Sequence, residues 1–516
     1  MPFFDFHCHP GLKPQFSDPE TKPTPWDYID ARLSISRNLK LQINKLFNEV
    51  LNSQSNLTQL IEADVKMVGL ILHAPEQKIG RALAEKSITN KGRVNLIDSR
   101  RLAYLATGEH SYELIKEELN WLLNAIPARP DAKLKLLTKK SDFNEADSHT
   151  VHAAIIIEGL HCFFDDPNEA NAKETYLKNF NEFTDDHTVL SINLCHMQQN
   201  QFCNHAHGIQ FFNAAYFYPT RNGITAWGME MIALMMNKKI LVDIKHMSLK
   251  SRWQLYTHYN SNTDNRFLQP LICTHAGTTG LSIKDRVKYV LKKPVDKGLV
   301  YEITYLKPQS LHFEKIYHNC SSINLYDEDI ENIILSGGII GLSFDQRILG
   351  FADENVMPGL TVPHDQEYIS HEEADFFLGP QPTTLAVWPE AANVWTTEEF
   401  ENLDQSLYSE MHRRFLVNNI IHILWVAGNN ASINLQEAAK QICIGTDFDG
   451  LINAIDCCKQ VTGLKQLKKD MRTDVINGLS KISGSAHVID ADELLDNIFY
   501  HNGKNFMLKR LMEING

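Results

Sequence analysis

Eight short apolar segments recur along this chain, and most of them precede a stretch with helical periodicity. Strands of this kind, separated by helices, predict parallel β-α-β units, and eight such units close into a barrel. We therefore predict an α/β fold, with one (β/α)8 (TIM) barrel over residues 1–516. Two separate α/β domains are the alternative for a chain of this length. The eight segments lie at residues 3–6, 65–72, 153–157, 189–194, 240–244, 271–274, 338–344 and 442–445.

Two connections between these segments are unusually long. Residues 276–337 follow the sixth predicted strand and residues 346–440 follow the seventh. Both begin at the carboxyl end of a strand, which is the active-site face of a barrel. Long loops within a compact domain are usually functional. We interpret both as insertions that form a lid or subdomain over the site, or that make oligomer contacts.

Composition restricts the class of partner. The formal net charge of −13 and the isoelectric point of about 5.9 argue against nucleic acid or an anionic membrane as the main partner. No apolar run reaches the roughly 18 residues that a membrane-spanning helix needs. The nine cysteines are scattered without a CxxC motif, which predicts reduced thiols and a cytoplasmic location. The expected partner is a small molecule.

Metal-type side chains stand where the predicted strands end. The first strand runs into His7-Cys8-His9-Pro10. Residues two apart in a strand point to the same face, so the imidazoles of His7 and His9 would lie side by side. Nitrogen and oxygen donors of this kind suit zinc or a similar divalent ion. Six residues at strand ends have the required types, namely His7, His9, Glu158, His246, His275 and Asp447.

These six residues predict a two-metal hydrolase. Two cations about 3.5–4 Å apart can activate a water and polarise a carbonyl. Glu158 is the natural bridge between the ions, with one ion on His7 and His9 and the other on His246 and His275. The sixth residue, Asp447 after the last strand, would orient the bridging water or carry its proton to the leaving amine. Zinc is the expected metal, while manganese or iron would also suit the mixed donor set.

Each of these positions also has a structural interpretation. Glu158 could cap a helix or pair with a cation, and His246 and His275 could be core histidines bonded to the backbone. Asp447 could be a turn residue in the Asp-Phe-Asp-Gly loop, and this applies more strongly to Asp449.

Three further histidines are assigned away from the metals. His205 and His207 are metal-like in type, but their polar surroundings predict exposed loop positions. His161 follows Glu158 by three residues and is expected to support the site without binding metal.

With the strand ends in this order, the chain resembles the membrane-dipeptidase-like (renal dipeptidase) metallopeptidases of the amidohydrolase superfamily. Residues 223–248 are similar to that family's helix and "IDLSH" segment, and the resemblance makes His246 a metal ligand. Glu158 stands in the family's "EG-x-H" motif, whose glutamate bridges the metals. His275 matches the histidine of the "SHS" segment, and Asp447 matches the catalytic first aspartate of "G-x-DFDG".

The resemblance implies roles for two more residues. His196, with Asn200 behind it, is similar to the "LTH-x-x-x-N" motif, whose histidine contacts the substrate or the tetrahedral intermediate. Arg286 matches the arginine that holds the substrate carboxylate. The family's first strand carries His-x-Asp, whereas this chain has His7-x-His9, which removes one negative charge from one metal. The resemblance also implies a dipeptide or small-amide substrate and a possible homodimer.

Three functions therefore stay open at this stage. The first is a binuclear hydrolase of dipeptides or similar small amides, and the second is an amidohydrolase acting on another amide, lactam or ester, with two metals or one. The third is a catalytically silent, metal-free barrel that serves as a binding module. The number of metal ions bound per chain separates the third from the other two.

Overall fold

The computed structural model describes residues 1–30, 50–89, 98–208, 214–261, 269–305, 310–314, 316–350, 366–379, 405–482 and 489–515. Its strands are β1 (Phe3–Cys8), β2 (Val65–Leu72), β3 (Lys133–Leu136), β4 (Thr150–Ile157), β5 (Val189–Asn193), β6 (Leu241–Asp243), β7 (Ile272–Ala276), β8 (Val290–Val295), β9 (Val300–Tyr305), β10 (Ile339–Leu342), β11 (Gln366–Ser370) and β12 (Ile442–Ile444).

The α-helices in these ranges are α1 (Leu57–Glu62), α2 (Gln77–Thr89), α3 (Ser99–Leu105), α4 (Ser111–Asn124), α5 (Ala172–Asp186), α6 (Ala226–Asn237), α7 (Leu249–Ser261), α8 (Ile283–Arg286), α9 (Asp327–Leu335), α10 (Gln346–Leu349), α11 (His371–Leu378), α12 (Gln405–Asn429), α13 (Leu435–Ala439), α14 (Leu464–Leu479), α15 (Ala491–Asp496) and α16 (Asn502–Asn515). A π-helical segment, Asn497–His501, joins the last two. None of the described helices combines the length and the apolar composition that a membrane crossing requires.

Eight parallel strands form the central sheet, in the order β1-β2-β4-β5-β6-β7-β10-β12, and β3 is an additional strand beside β4. The two ends of this order meet, because Cys8 forms a parallel bridge with Phe448 just beyond β12. The amide of His9 donates to the carbonyl of Phe448, and the amide of Asp447 donates to the carbonyl of His7. The sheet is thereby closed at the carboxyl ends of the strands, and the predicted α/β barrel is confirmed.

All eight predicted segments are barrel strands, and their apolar character follows from burial on both faces. Every residue of β2 and β4 is buried, as expected for parallel strands covered by helices outside and side chains inside. The interior cluster includes Phe4, Phe6 and Ile156 from the strands, and Tyr500 and Met507 from the C-terminal helices pack against it. The amino end of the barrel is therefore filled, and the open end is the carboxyl end.

The two long connections build one additional unit. Strands β8 and β9 form an antiparallel hairpin within residues 276–337, and β11 comes from residues 346–440. Strand β11 pairs antiparallel with β9, with Tyr301 opposite Ile369, so the three-stranded sheet has the order β11-β9-β8. Helix α9 lies at the end of the first connection and precedes β10. Helix α12 lies near the end of the second connection and precedes β12, so both occupy the places of barrel helices. The three-stranded sheet therefore draws its strands from both connections.

Candidate metal centre

The open end of the barrel brings together the six residues predicted from the strand ends. The Glu158 carboxylate lies among four imidazoles. Its Oε1 is 3.5 Å from His7 Nε2 and 3.2 Å from His246 Nε2, and its Oε2 is 3.5 Å from His9 Nε2. His275 Nε2 is 3.7 Å from Oε1. The four histidines and Glu158 are all buried.

The Nε2 atoms of the four histidines fall into two close pairs. His7 Nε2 lies 3.0 Å from His9 Nε2, and His246 Nε2 lies 3.1 Å from His275 Nε2. Two atoms that bind one zinc ion at about 2.0–2.1 Å lie about 3–3.5 Å apart. Each pair therefore has the spacing of ligands to one ion, with Glu158 beside both pairs.

A hydroxyl fixes the tautomer of two of these rings. Thr274 Oγ1 donates to Asp243 Oδ2 at 2.5 Å, so its oxygen accepts hydrogen bonds from ring nitrogens. The acceptor is shared by His7 Nδ1 at 2.9 Å and His275 Nδ1 at 3.1 Å. The shared acceptor favours a proton on Nδ1 in both rings, whose Nδ1 atoms are 3.1 Å apart, and an Nε2 lone pair then faces Glu158. This is the tautomer that binds a metal, and the lone pairs would repel the carboxylate if no cation lay between them.

The protonation states also suit metal binding. Burial lowers the pKa of His7 and His275 well below the usual value, and it lowers the pKa of His246 to about 3. Burial alone would raise the pKa of Glu158, but the surrounding imidazoles hold it well below its usual value. His7, His246 and His275 are thus neutral beside an ionised Glu158 carboxylate. Burial raises the pKa of Asp447, so this carboxylate accepts a proton more readily than a solvent-exposed one.

Strained backbone supports the last strand end. Asp447 has a φ of 63°, in the left-handed region that non-glycine residues seldom adopt. Its Oδ1 lies 3.4 Å from His9 Nε2. Position 450 has room only for glycine, because a Cβ atom there would fall 2.1 Å from this oxygen. Asp449 pairs with Lys13 and not with the histidine cluster, because its Oδ1 lies 2.7 Å from Lys13 Nζ. Strain of this kind clusters at functional sites and persists because the surrounding structure fixes it.

A cavity opens from these residues, and His196 lies in its wall. His196 Nε2 is 3.7 Å from Glu158 Oε2, and its ring centroid is 4.4 Å from that of His246. Away from the histidines, the cavity is lined by apolar side chains together with the charged groups of Lys245, Asp345 and Arg347. Its lining includes Leu12, Phe16, Pro75, Ile79, His207, Lys245, Ile323, Asp345, Arg347 and Ile348.

Arg286 does not reach this cavity. Its guanidinium is completely buried in the unit built by the insertions, where Nη2 lies 2.6 Å from Glu367 Oε1 and 2.9 Å from the Tyr305 hydroxyl. Arg286 is absent from the cavity lining, whereas Arg347 is part of it and pairs with Asp345. In this structure Arg286 contacts Glu367, and its contact with a substrate carboxylate stays a prediction.

The prediction for two other histidines was wrong. His205 and His207 are buried, not exposed, and His207 lines the cavity. His205 Nε2 bonds the carbonyl of Phe217 at 3.0 Å, and the ring of His207 packs against Tyr368 of β11. His161 bonds the carbonyl of Ala74 through Nε2 at 2.8 Å, so it supports the neighbouring loop, as expected.

Two residues at the site were missed from the sequence. His73 directly follows β2, in the same place relative to its strand as the predicted ligands, and its Nδ1 donates to the carbonyl of Glu158 at 2.9 Å. That strand-end position was the signal that could have identified it. Glu76 lies three residues further on, and no sequence pattern sets it apart. Together with His196, these residues form a further group of possible metal ligands beside the main cluster.

No protein-family model matches the chain, and no curated protein matches it. Among solved structures, the probable dipeptidase PvdM from Pseudomonas aeruginosa is 13% identical and covers 100% of this chain and 96% of its own, with a TM-score of 0.50. This chain shares that fold. The likeness confirms the expected fold and leaves the activity to be argued from the site.

Two further structures are similar over 99% of this chain, each at 14% identity and a TM-score of 0.46. One is a metallopeptidase from Rhodobacter sphaeroides liganded with a phosphinate mimic of the dipeptide L-Ala-D-Ala, which is covered over 99% of its length. The other is a metallopeptidase described as dipeptidase AC, covered over 98%.

Proposed function

We propose that this protein is a metal-dependent hydrolase that uses two divalent cations, with Zn²⁺ as the expected metal, to cleave dipeptides or similar small amides. One observation carries the proposal. The hydroxyl of Thr274 commits His7 and His275 to tautomers whose Nε2 lone pairs face the buried Glu158 carboxylate. Such a cluster of acceptors is stable around cations and costly without them.

The proposed ligand sets follow the two ring pairs. His7 and His9 would hold one ion and His246 and His275 the other, with Glu158 bound to both. When bound, the ions would supply an activated water and polarise the scissile carbonyl.

The remaining residues would handle the proton and the substrate. Asp447 lies beside His9 at the open end of the barrel, and its raised pKa suits it to accept the water's proton and pass it to the leaving amine. His196, whose Nε2 is 3.7 Å from Glu158 Oε2, would face the bound substrate. The apolar walls of the cavity would exclude bulk water from the reaction.

The substrate assignment rests on the size of the site and on the fold shared with a structure described as a probable dipeptidase. The test is to reconstitute the protein with Zn²⁺, count bound metal, and incubate it with dipeptides that carry L- or D-residues at the C-terminal position. We expect two ions per chain and release of amino acids that a chelator abolishes. The variant His246→Ala should lose one ion and the activity, whereas the exposed His149→Ala should lose neither.

Different failures have different meanings in this experiment. A protein that binds no divalent metal would overturn the hydrolase proposal and favour a binding module. Two bound ions without turnover of any dipeptide would overturn the substrate assignment and move it to another amide, a lactam or an ester.

A further inference from the structure

Glu76 holds His196 by the nitrogen that points away from the metal centre. Glu76 lies in the loop between β2 and α2, and its side chain is only 1% exposed. Its Oε1 accepts a hydrogen bond from His196 Nδ1 at 2.8 Å and another from the amide of Met197 at 3.0 Å. A carboxylate can only accept, so the proton of this bond belongs to His196 Nδ1.

This bond determines which edge of the imidazole faces the reaction. With Nδ1 committed to Glu76, Nε2 is the nitrogen that lies 3.7 Å from Glu158 Oε2 and lines the cavity. A ring without this anchor could rotate about its bond to Cβ and turn Nε2 away from the cavity. The carboxylate therefore removes a rotational freedom that His196 would otherwise lose on binding a substrate.

His73 connects Glu76 to the backbone of the central carboxylate. Its Nδ1 donates to the carbonyl of Glu158 at 2.9 Å, and its Nε2 lies 3.4 Å from Glu76 Oε2. Its ring packs edge-on against the ring of His196, with centroids 4.5 Å apart. Glu76 Oε2 is buried and makes no hydrogen bond within the described residues, so His73 is its nearest polar neighbour there. The contacts run from Glu158 through His73, Glu76 and His196 and return to Glu158.

We propose that Glu76 is a positioning residue, which holds the His196 ring with Nε2 facing the cavity where the substrate binds, and that His73 fixes Glu76 in place. The inference deepens the proposed function and rests on it for the identity of the reaction. A buried carboxylate behind a ring nitrogen is a general means of fixing the orientation and tautomer of a catalytic histidine.

The test is a double-mutant cycle on the zinc-loaded enzyme. Glu76→Met removes both acceptor oxygens at similar volume and should lower kcat by about 10- to 100-fold, while two metal ions stay bound. His196→Ala should lower kcat at least as much, and the double variant should be no slower than His196→Ala alone. Glu76→Gln retains one acceptor oxygen and should recover part of the loss.

The matched control is Glu373→Met. Glu373 is also buried, on α11, and its Oε2 accepts a hydrogen bond from the backbone amide of Lys250 at 3.4 Å, but within the described residues it makes no hydrogen bond to His73, Glu76 or His196. This variant should retain the kcat of the wild type. Losses that multiply in the double variant Glu76→Met/His196→Ala would overturn the inference, because they would show that Glu76 acts on the fold and not through His196.

A second readout does not depend on turnover. In zinc-loaded protein with ¹⁵N-labelled histidine, the ring nitrogens of His196 should show the proton on Nδ1, with assignment by loss of the signal in His196→Ala. Glu76→Met should release this preference. A proton found on Nε2 alone in the wild type would overturn the inference. If no substrate is turned over, the proposed function fails while this measurement still decides the role of Glu76.

Discussion

Two completely or nearly completely buried glutamates in this protein have opposite surroundings. Glu367, on β11, receives the Arg286 guanidinium at 2.6 Å on Oε1. Its Oε2 accepts from the amide of Ser322 at 2.9 Å and from the hydroxyls of Ser322 and Ser321 at 2.6 and 3.2 Å. Glu158, at the end of β4, has no Lys or Arg within ion-pair distance among the described residues, and its polar neighbours are imidazole nitrogens.

The difference separates a structural charge from a functional one. The chain itself neutralises Glu367, so this carboxylate needs nothing further. Around Glu158 the described residues provide imidazole nitrogens and no guanidinium or ammonium group within ion-pair distance, and imidazole nitrogens bind metal cations. Buried histidines alone do not define the site, because what distinguishes it is the direction of their nitrogens.

The largest effect is expected from Glu158→Gln. An amide cannot bind two cations as a carboxylate does, so metal content should fall and activity should drop by about a thousandfold or more. Metal analysis and kcat on the same preparation would measure this. The metal-free variant should melt no lower than the metal-free wild type, because the change removes a buried charge. A variant that retained two ions and full activity would contradict the role of Glu158.

The next effect is on stability and concerns the other glutamate. Arg286→Met leaves Glu367 as a buried charge without its partner, which costs about 3–5 kcal/mol of unfolding free energy. The KM for substrate should stay unchanged, because Arg286 does not line the cavity. Thermal melting and steady-state kinetics would separate the two effects. The double variant Arg286→Met/Glu367→Leu should recover part of the stability. A raised KM in Arg286→Met would contradict this prediction and support contact between Arg286 and the substrate.

A smaller effect is expected one contact behind the metal ligands. Thr274→Val keeps the shape of the side chain and removes the oxygen that accepts from His7 and His275. Affinity for metal should fall by about 10- to 100-fold, since the tautomers of both rings are released. Competition with a chelator of known affinity would measure it. An unchanged affinity would show that the rings keep their tautomers without the hydroxyl.

The smallest effect concerns Glu118, a third buried carboxyl. Among the described residues it has neither an arginine partner, as Glu367 has, nor a surrounding cluster of imidazoles, as Glu158 has. Burial raises its pKa from the ordinary value of 4.5 to about 8. Its contribution to stability is therefore complete below pH 4.5 and is lost as the pH rises through about 8. Glu118→Gln should have the melting temperature of the wild type near pH 5 and a higher one at pH 9. At pH 9 its free energy of unfolding should exceed that of the wild type by on the order of a few kcal/mol. Melting curves that stay parallel across this range would contradict the shift.

Much of the fold could be predicted because it depends on local pattern. Parallel strands buried on both faces are apolar throughout, so segments such as Val65–Leu72 are visible in the sequence. Barrel topology then brings all strand carboxyl ends to one place, which is why His246 and His275, separated by 29 positions, could be assigned to one ion.

The contacts that could not be predicted from the sequence all depend on long-range packing. The partner of Arg286 is Glu367, which lies 81 residues away, and no spacing in the sequence relates them. His207 lies in a polar stretch, yet Tyr368 of β11 covers it. Glu76 was missed for the same reason, because its role depends on His196, 120 residues further along the chain.

The three-stranded sheet also affects how this protein can evolve. Its middle strand, β9, belongs to one insertion and its neighbour β11 to the other, on opposite sides of barrel strand β10 in the sequence. Loss of the second insertion would expose one edge of β9, with unpaired backbone groups ready to bind another chain. The two insertions are therefore expected to be gained, exchanged or lost together, as one inherited unit encoded in two separate parts of the gene.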